Sequence, residues 1–81
     1  MTPLLFRITK VFRETLGVED LVLTETTSPA DVEEWDSVAQ VQLFLALEEK
    51  FDVSFTPDEL ATIESVGDIA KLLTAHGVSD V

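Results

Sequence analysis

The chain has 81 residues, 46% of them hydrophobic, which is enough for one domain with a single small core. It contains no cysteine, and this excludes disulfides, thiolate zinc sites and a cysteine nucleophile. No apolar run approaches the roughly 18 residues that span a bilayer, and no charged-then-apolar leader opens the chain. We therefore expect a soluble, cytoplasmic domain.

The charge is acidic and unevenly distributed. Sixteen acidic residues against five basic ones give a net charge of −11, with +2 on residues 1–16 and −13 on residues 17–81. Such a surface repels the phosphates of DNA and RNA, so we do not expect nucleic-acid binding. It should be attracted to basic patches on protein partners. A role in solubility alone explains the charge about equally well.

The first half of the chain predicts a helix followed by a long loop. Thr2-Pro3 is a helix start, because proline suits the first helical position and the hydroxyl caps free amides. The helix is expected over residues 3–16, ended by Gly17. Its apolar face is formed by Leu5, Ile8, Phe12 and Leu16. Residues 17–36 are expected to form a loop with a single turn after Ser28-Pro29, an unusual length that is often functional. The apolar residues that should hold this loop to the core are Val18, Leu21, Leu23, Val32 and Trp35.

The second half predicts three helices. One covers residues 37–51, with Asp36 as its N-cap. Its apolar face is expected to comprise Val38, Val41, Phe44, Leu45, Leu47 and Phe51. A short helix over residues 57–62 begins at a capping box, and a last helix covers residues 66–76 before Gly77. The short helix is capped by Thr56 and Glu59, and the last by Ser65. The only histidine, His76, is placed at the negative end of the last helix.

The motifs of these helices, taken together, resemble acyl carrier proteins. The segments that carry the resemblance are Leu16-Gly17-Val18, Asp36-Ser37-Val38 with Val41 and Leu43, Ala46-Leu47-Glu48-Glu49 with Phe51, Pro57-Asp58-Glu59, Ile63 and Val66-Gly67-Asp68. Their order and spacing cover nearly the whole chain. The resemblance implies an all-α fold over residues 1–81, a single four-helix bundle of acyl-carrier type. The long loop then lies between the first two helices, and the third helix is short.

The resemblance also implies a covalent cofactor and its partners. Ser37 would receive a 4′-phosphopantetheine arm from coenzyme A, and the arm would carry acyl groups as thioesters. Asp36 would cap the helix and contact the phosphopantetheinyl transferase. Other implied partners are acyl-loading and acyl-transferring enzymes with basic docking patches. We expect a monomer that is not itself an enzyme, without a metal, a membrane span or a nucleic-acid partner.

Several positions depart from the family pattern. Glu34-Trp35 replaces the small residues that often precede the Asp-Ser pair, and Trp35 is expected to pack in the core, with contact to the arm as an alternative. The exposed face of the second helix lacks the acidic residues of fatty-acid-synthase carriers in its first half, and charge returns only at Glu48 and Glu49. Docking should therefore depend more on apolar and hydrogen-bonding contacts. The partner-binding candidates are Val38, Gln42, Leu45, Glu48 and Glu49. This difference favours a specialised pathway, of fatty-acid, polyketide or other acyl metabolism.

Two other functions stay open. An aminoacyl or peptidyl carrier has a similar fold, although such carriers more often place glycines before the serine. An acidic helical interaction module without a prosthetic group belongs to a different class. A hydrolase built on Ser37 and His76 is improbable, because Asp36 adjoins Ser37 and is poorly placed to orient the histidine. The resemblance implies that an acyl cargo would lie among the last three helices, near the expected core residues Leu47, Phe55, Ile63 and Ile69.

Overall fold

A computed structural model describes residues 3–78 of the chain, and over this range the fold is all-α. The four helices are α1 (Pro3–Leu16), α2 (Ser37–Phe51), α3 (Pro57–Ala61) and α4 (Val66–Ala75), and one 3-10 turn covers Pro29–Asp31. The predicted fold class is confirmed. Helices α3 and α4 each end one residue before the predicted end, and the predicted cap Thr2 lies outside the described residues. None of the described helices is long and apolar enough to cross a membrane.

The core lies between α1, α2, α4 and the long loop, with α1 packed against both α2 and α4. Ile8 and Phe12 of α1 are fully buried, as the helical spacing predicts. At the edge of this core, the guanidinium of Arg7 lies 4.6 Å from the centre of the Phe51 ring, a cation–π contact between α1 and the end of α2. One of the basic residues of α1 therefore has a structural role.

The predicted apolar face of α2 is wrong at three positions. Val38, Val41 and Leu45 are 70%, 59% and 60% exposed. The residues of α2 that enter the core are Ala39, Leu43, Phe44, Leu47 and Phe51. This helix is apolar on nearly all sides over its first three turns, so periodicity alone does not determine which stripe faces inward.

The long loop is held against the core by four of the five apolar side chains that the sequence indicates, and the fifth, Val18, is half-buried outside that core. Leu23, Val32 and Trp35 are 1%, 6% and 3% exposed, and Leu21 packs against the same core from its edge. The loop is also hydrogen-bonded to α1, because the Nε–H of Arg13 donates to the Leu21 carbonyl at 2.8 Å. Apolar burial and this bond together fix a segment that forms no helix of more than one turn.

The loop also completes the start of α4. The first N–H groups of a helix have no partner within it. Here the amide of Val66 donates to the carbonyl of Thr27 and the amide of Gly67 to the carbonyl of Glu25, each at 2.8 Å. The second contact requires a glycine, since a Cβ at position 67 would lie 2.8 Å from the Glu25 oxygen. The chain around Glu25 and Thr27 is therefore tied to α4 backbone to backbone.

We predict that Gly67→Ala destabilises the protein. In an ordinary helix this change stabilises by about 0.5–1 kcal/mol, because glycine has the larger unfolded-state entropy. Here the added methyl would displace the Glu25 carbonyl, and we expect a loss of about 1–3 kcal/mol from strain and a broken hydrogen bond. Urea unfolding of both proteins measures the difference. A stabilised variant would show that the loop yields to the methyl at no cost.

The short helix α3 is held mainly at its N-terminus. The hydroxyl of Thr56 accepts from the Glu59 amide at 3.2 Å, and Glu59 Oε1 accepts from the Thr56 amide at 2.9 Å, which is the predicted capping box. Glu59 Oε2 lies 2.8 Å from His76 Nε2, and the His76 ring meets the Phe55 ring edge-on at 5.5 Å. His76 therefore ends α4, as predicted, and also joins it to α3.

These contacts lower the pKa of Glu59 from its usual 4.5, first through the hydrogen bond from the Thr56 amide and then through His76. A lowered folded-state pKa means that the contribution to stability is present above pH 4.5 and is lost as the pH falls through the folded pKa. We predict that the free energy of unfolding decreases less on acidification in Glu59→Gln than in the unchanged protein. Urea unfolding across the acid range measures this. Glu64→Gln, which removes a nearby exposed carboxylate, is the control and should keep the original slope.

Candidate functional site at the start of α2

Asp36 sets where α2 begins. Its backbone is extended, with φ −99° and ψ −176°, so the chain enters the helix only at Ser37. Its side-chain Oδ1 accepts from the Ala39 amide at 2.8 Å, and its carbonyl accepts the first helical hydrogen bond, from Gln40, at 2.9 Å. Asp36 is thus an N-cap, and the residue after it occupies the first helical position.

Ser37 is exposed at that first position, and its hydroxyl makes no hydrogen bond with any residue between 3 and 78. In the same range the amides of Ser37 and Val38 have no acceptor. Free amides and the positive end of a 15-residue helix dipole favour a negatively charged group at this place. The geometry therefore suits a phosphodiester on the Ser37 oxygen, and a modifying enzyme has free access to the hydroxyl.

Among residues 3–78, no catalytic triad forms around Ser37. The ring of His76 instead contacts the Glu59 carboxylate and the Phe55 ring, where the end of α4 meets α3. Asp36 directs a carboxylate oxygen to the Ala39 amide, so it does not orient a histidine. The hydrolase that the sequence makes improbable has no support among the described residues.

Trp35 is buried beside the site. Its indole is 3% exposed and meets the ring of Phe12 on α1 edge-on, with centroids 5.0 Å apart and planes at 89°. The prediction that it packs in the core is confirmed. The indole N–H has no acceptor within the described part of the chain, so ring packing and not a hydrogen bond holds it. Trp35 thereby fixes the backbone one residue before the cap Asp36.

The partner-binding candidates lie along the outer side of α2. Val38, Gln42 and Leu45 are exposed on adjacent turns, and Val41, which the sequence placed in the core, lies with them. Val41 follows Val38 by three residues, which places both on one side of the helix, and this spacing could have assigned Val41 to the exposed side.

The two acidic candidates of α2 differ. Glu49 is exposed. Glu48 is half-buried, and its Oε2 accepts from the Phe55 amide at 2.7 Å.

The residues expected near a cargo are part of the core or its margin. Leu47 and Ile69 are fully buried, Phe55 is 9% exposed and Ile63 packs against the core from outside. Two open clefts have charged side chains in their lining: one of about 420 Å³ at the end of α1 and the start of the loop, and one of about 390 Å³ between α1 and α2. Neither cleft is lined by Ser37 or by these four apolar residues.

Comparison with known proteins identifies the class to which this site belongs. The family described as "Phosphopantetheine attachment site" matches residues 7–73. The solution structure of the holo acyl carrier protein from Geobacter metallireducens is similar, with 34% identity, a TM-score of 0.85, and coverage of 90% of this chain and 84% of that one. A putative acyl carrier protein from Mycobacterium tuberculosis has the same fold at 23% identity, with a TM-score of 0.80 and coverage of 90% and 97%.

The fold and the matched family define a carrier domain with a phosphopantetheine attachment site. The chain belongs to the acyl carrier protein family. It is a carrier of covalently bound 4′-phosphopantetheine, modified by a phosphopantetheinyl transferase, and not an enzyme. The family decides against the interaction module without a prosthetic group.

We predict that Asp36→Ala and Asp36→Asn separate the two roles given to this residue. Alanine removes the acceptor for the Ala39 amide and should cost about 1 kcal/mol of stability, whereas asparagine keeps the cap and should cost little. If the carboxylate also contacts the transferase, both variants should be modified more slowly than the unchanged protein, at a temperature where all three proteins are folded. Thermal unfolding and the rate of mass gain measure the two effects. Equal stability of all three proteins would contradict the capping role.

Proposed function

We propose that Ser37 is the residue that carries the 4′-phosphopantetheine arm and that the protein presents acyl groups on its thiol to partner enzymes. The observation that supports this most is the free, exposed hydroxyl at the first position of α2, held there by the Asp36 cap. Free amides and the helix dipole beside it would favour the phosphodiester of the arm. The thiol must come from the arm, because the chain has no cysteine.

The chemistry of attachment is divided between the two proteins. The carrier contributes the serine oxygen, which would replace the adenosine bisphosphate part of coenzyme A at phosphorus. No described residue is placed to remove the proton of Ser37, since the only histidine is engaged with Glu59. The base and the metal ion would therefore belong to the transferase. The role of the carrier is to hold its hydroxyl at a fixed, accessible place.

The partner enzymes are proposed to dock on the outer side of α2, which begins at Ser37. The residues assigned to this contact are Val38, Gln42, Leu45, Glu48 and Glu49. A partner bound along this side would have Ser37 at the edge of the contact. An arm on Ser37 would then reach the active site of the partner. We propose that the protein acts in the cytoplasm, in fatty-acid, polyketide or another specialised acyl metabolism.

The test is incubation with coenzyme A, Mg²⁺ and a broad-specificity phosphopantetheinyl transferase, followed by intact-mass measurement. We expect a gain of one 4′-phosphopantetheine group in the unchanged protein and none in Ser37→Ala. Ser54→Ala, which removes an exposed hydroxyl between α2 and α3, is the matched control and should gain the full mass. Absence of the gain, or its persistence in Ser37→Ala, would refute the assignment. Loading the holo protein with acyl and aminoacyl donors then separates the two kinds of carrier.

A further inference from the structure

One polar group in the core has no partner. Among residues 3–78, the indole Nε1 of Trp35 is the only buried side-chain nitrogen or oxygen without a hydrogen bond. The side chain is 3% exposed, so bulk water does not reach this N–H. Buried indole N–H groups usually have an acceptor, because an unpaired buried donor is costly. An unpaired donor in a native structure therefore calls for a functional explanation.

The groups close to this N–H along the chain are already engaged or point to water. The Val32 carbonyl accepts from the backbone amide of Trp35 at 3.0 Å, and Oδ1 of Asp36 caps α2. The two acidic residues 33–34 are exposed. Gln40 is half-buried in the first turn of α2, and its side chain does not accept from the indole. At this place the chain therefore supplies a donor without an acceptor.

Packing alone does not require an indole at this position. The contact that holds the side chain is ring on ring, with the Trp35 and Phe12 centroids 5.0 Å apart. A phenylalanine at position 35 would make an edge-on contact of the same kind without burying a donor. The nitrogen is the part of this side chain that the fold does not use.

The unpaired N–H lies next to the proposed attachment point. Trp35 is two residues before Ser37, so at most about 7 Å of extended backbone separates their Cα atoms. Glu34 and Asp36, on either side of the tryptophan, are exposed, so the indole lies directly beneath the surface that carries Ser37. The molecule held closest to this donor is thus the one attached to the serine.

We infer that the Trp35 N–H donates a hydrogen bond to an oxygen of the acyl thioester on the arm, and so binds the oxygen-bearing end of the cargo. This rests on the proposed function, which places the arm on Ser37. The acceptor is the thioester carbonyl or, in an oxygenated acyl group, a β-hydroxyl or β-carbonyl. An alkyl chain offers no acceptor, so its burial against the indole would leave the donor unpaired.

The chain has a single tryptophan, so its indole gives one cross-peak in a proton–nitrogen correlation spectrum of the labelled protein. A broad-specificity transferase loads the protein from coenzyme A or from its S-hexyl, hexanoyl and β-hydroxyhexanoyl derivatives, and intact mass establishes each product. The loaded forms carry, in that order, a free thiol, an alkyl group without oxygen, a thioester carbonyl, and a carbonyl with a β-hydroxyl.

We expect the indole proton to move downfield in an oxygen-bearing form, and its exchange with solvent to slow roughly fivefold, as one new hydrogen bond implies. A change in the hexanoyl form assigns the thioester carbonyl as the acceptor. A change in the β-hydroxyhexanoyl form alone assigns the β-hydroxyl. The same signal in all forms, an equal change in the S-hexyl form, or a change already complete with the free thiol would overturn the inference.

Trp35→Phe keeps an aromatic ring in the core and removes the donor. In the unchanged protein the β-hydroxyhexanoyl form should unfold at a higher temperature than the S-hexyl form, and in Trp35→Phe this difference should disappear. A purely structural role would lower both temperatures alike and preserve the difference, contrary to the inference. Phe51→Leu, which alters a buried ring at the far end of α2, is the matched control and should also preserve it.

Gln40→Ala tests for a partner within the chain. If this substitution moves the indole signal of the unloaded protein as far as loading does, the N–H is paired with Gln40 and the inference fails. If no derivative of coenzyme A adds mass, the assignment of Ser37 fails, and this result is seen before any spectrum is recorded. If Trp35→Phe does not fold, the spectra of the unchanged protein decide by themselves.

Discussion

The burial of the long loop against α1 is the constraint on which the rest of the structure depends. Each of Leu23, Val32 and Trp35 is withdrawn from water, which contributes about 1.5–3 kcal/mol per side chain for large apolar residues. Without it the segment between α1 and α2 would have no regular structure to order it. Because Trp35 adjoins the cap Asp36, its packing on Phe12 fixes the place where α2 begins. The exposed position of Ser37 therefore depends on the packing of Trp35 against Phe12 in the core.

The same loop couples distant parts of the bundle. Its backbone accepts hydrogen bonds from the first amides of α4 and from the side chain of Arg13 on α1. All three basic residues of α1 have internal partners: Arg7 contacts the Phe51 ring, Lys10 the Phe6 ring and Arg13 the Leu21 carbonyl. The contacts of Arg7 and Arg13 join α1 to the end of α2 and to the long loop. Residues 37–47 of α2 contain no charged residue, although the chain after residue 16 has a net charge of −13.

The sequence predicts much of this fold because residues at the helix ends themselves mark where each helix starts and stops. Asp36, Thr56 and Ser65 each cap the helix that follows, and Gly17 takes a positive φ after α1. The prediction is wrong for α2, where apolar residues occur on nearly every side and the helical period alone does not select the buried stripe. It also does not find the pairing of Glu59 with His76, which are 17 residues apart. That contact depends on how α3 and α4 meet.

What the sequence by itself determined is the set of helices, their caps, the place of Ser37 and the likeness to carriers, because these depend on residues within a few positions of each other. Only the tertiary structure decided which side of α2 is free, that Glu48 has an internal partner and that Gly67 lies against the loop. Each of these is a contact between segments distant along the chain. Such contacts depend on the packing of the whole core, and no local pattern encodes them.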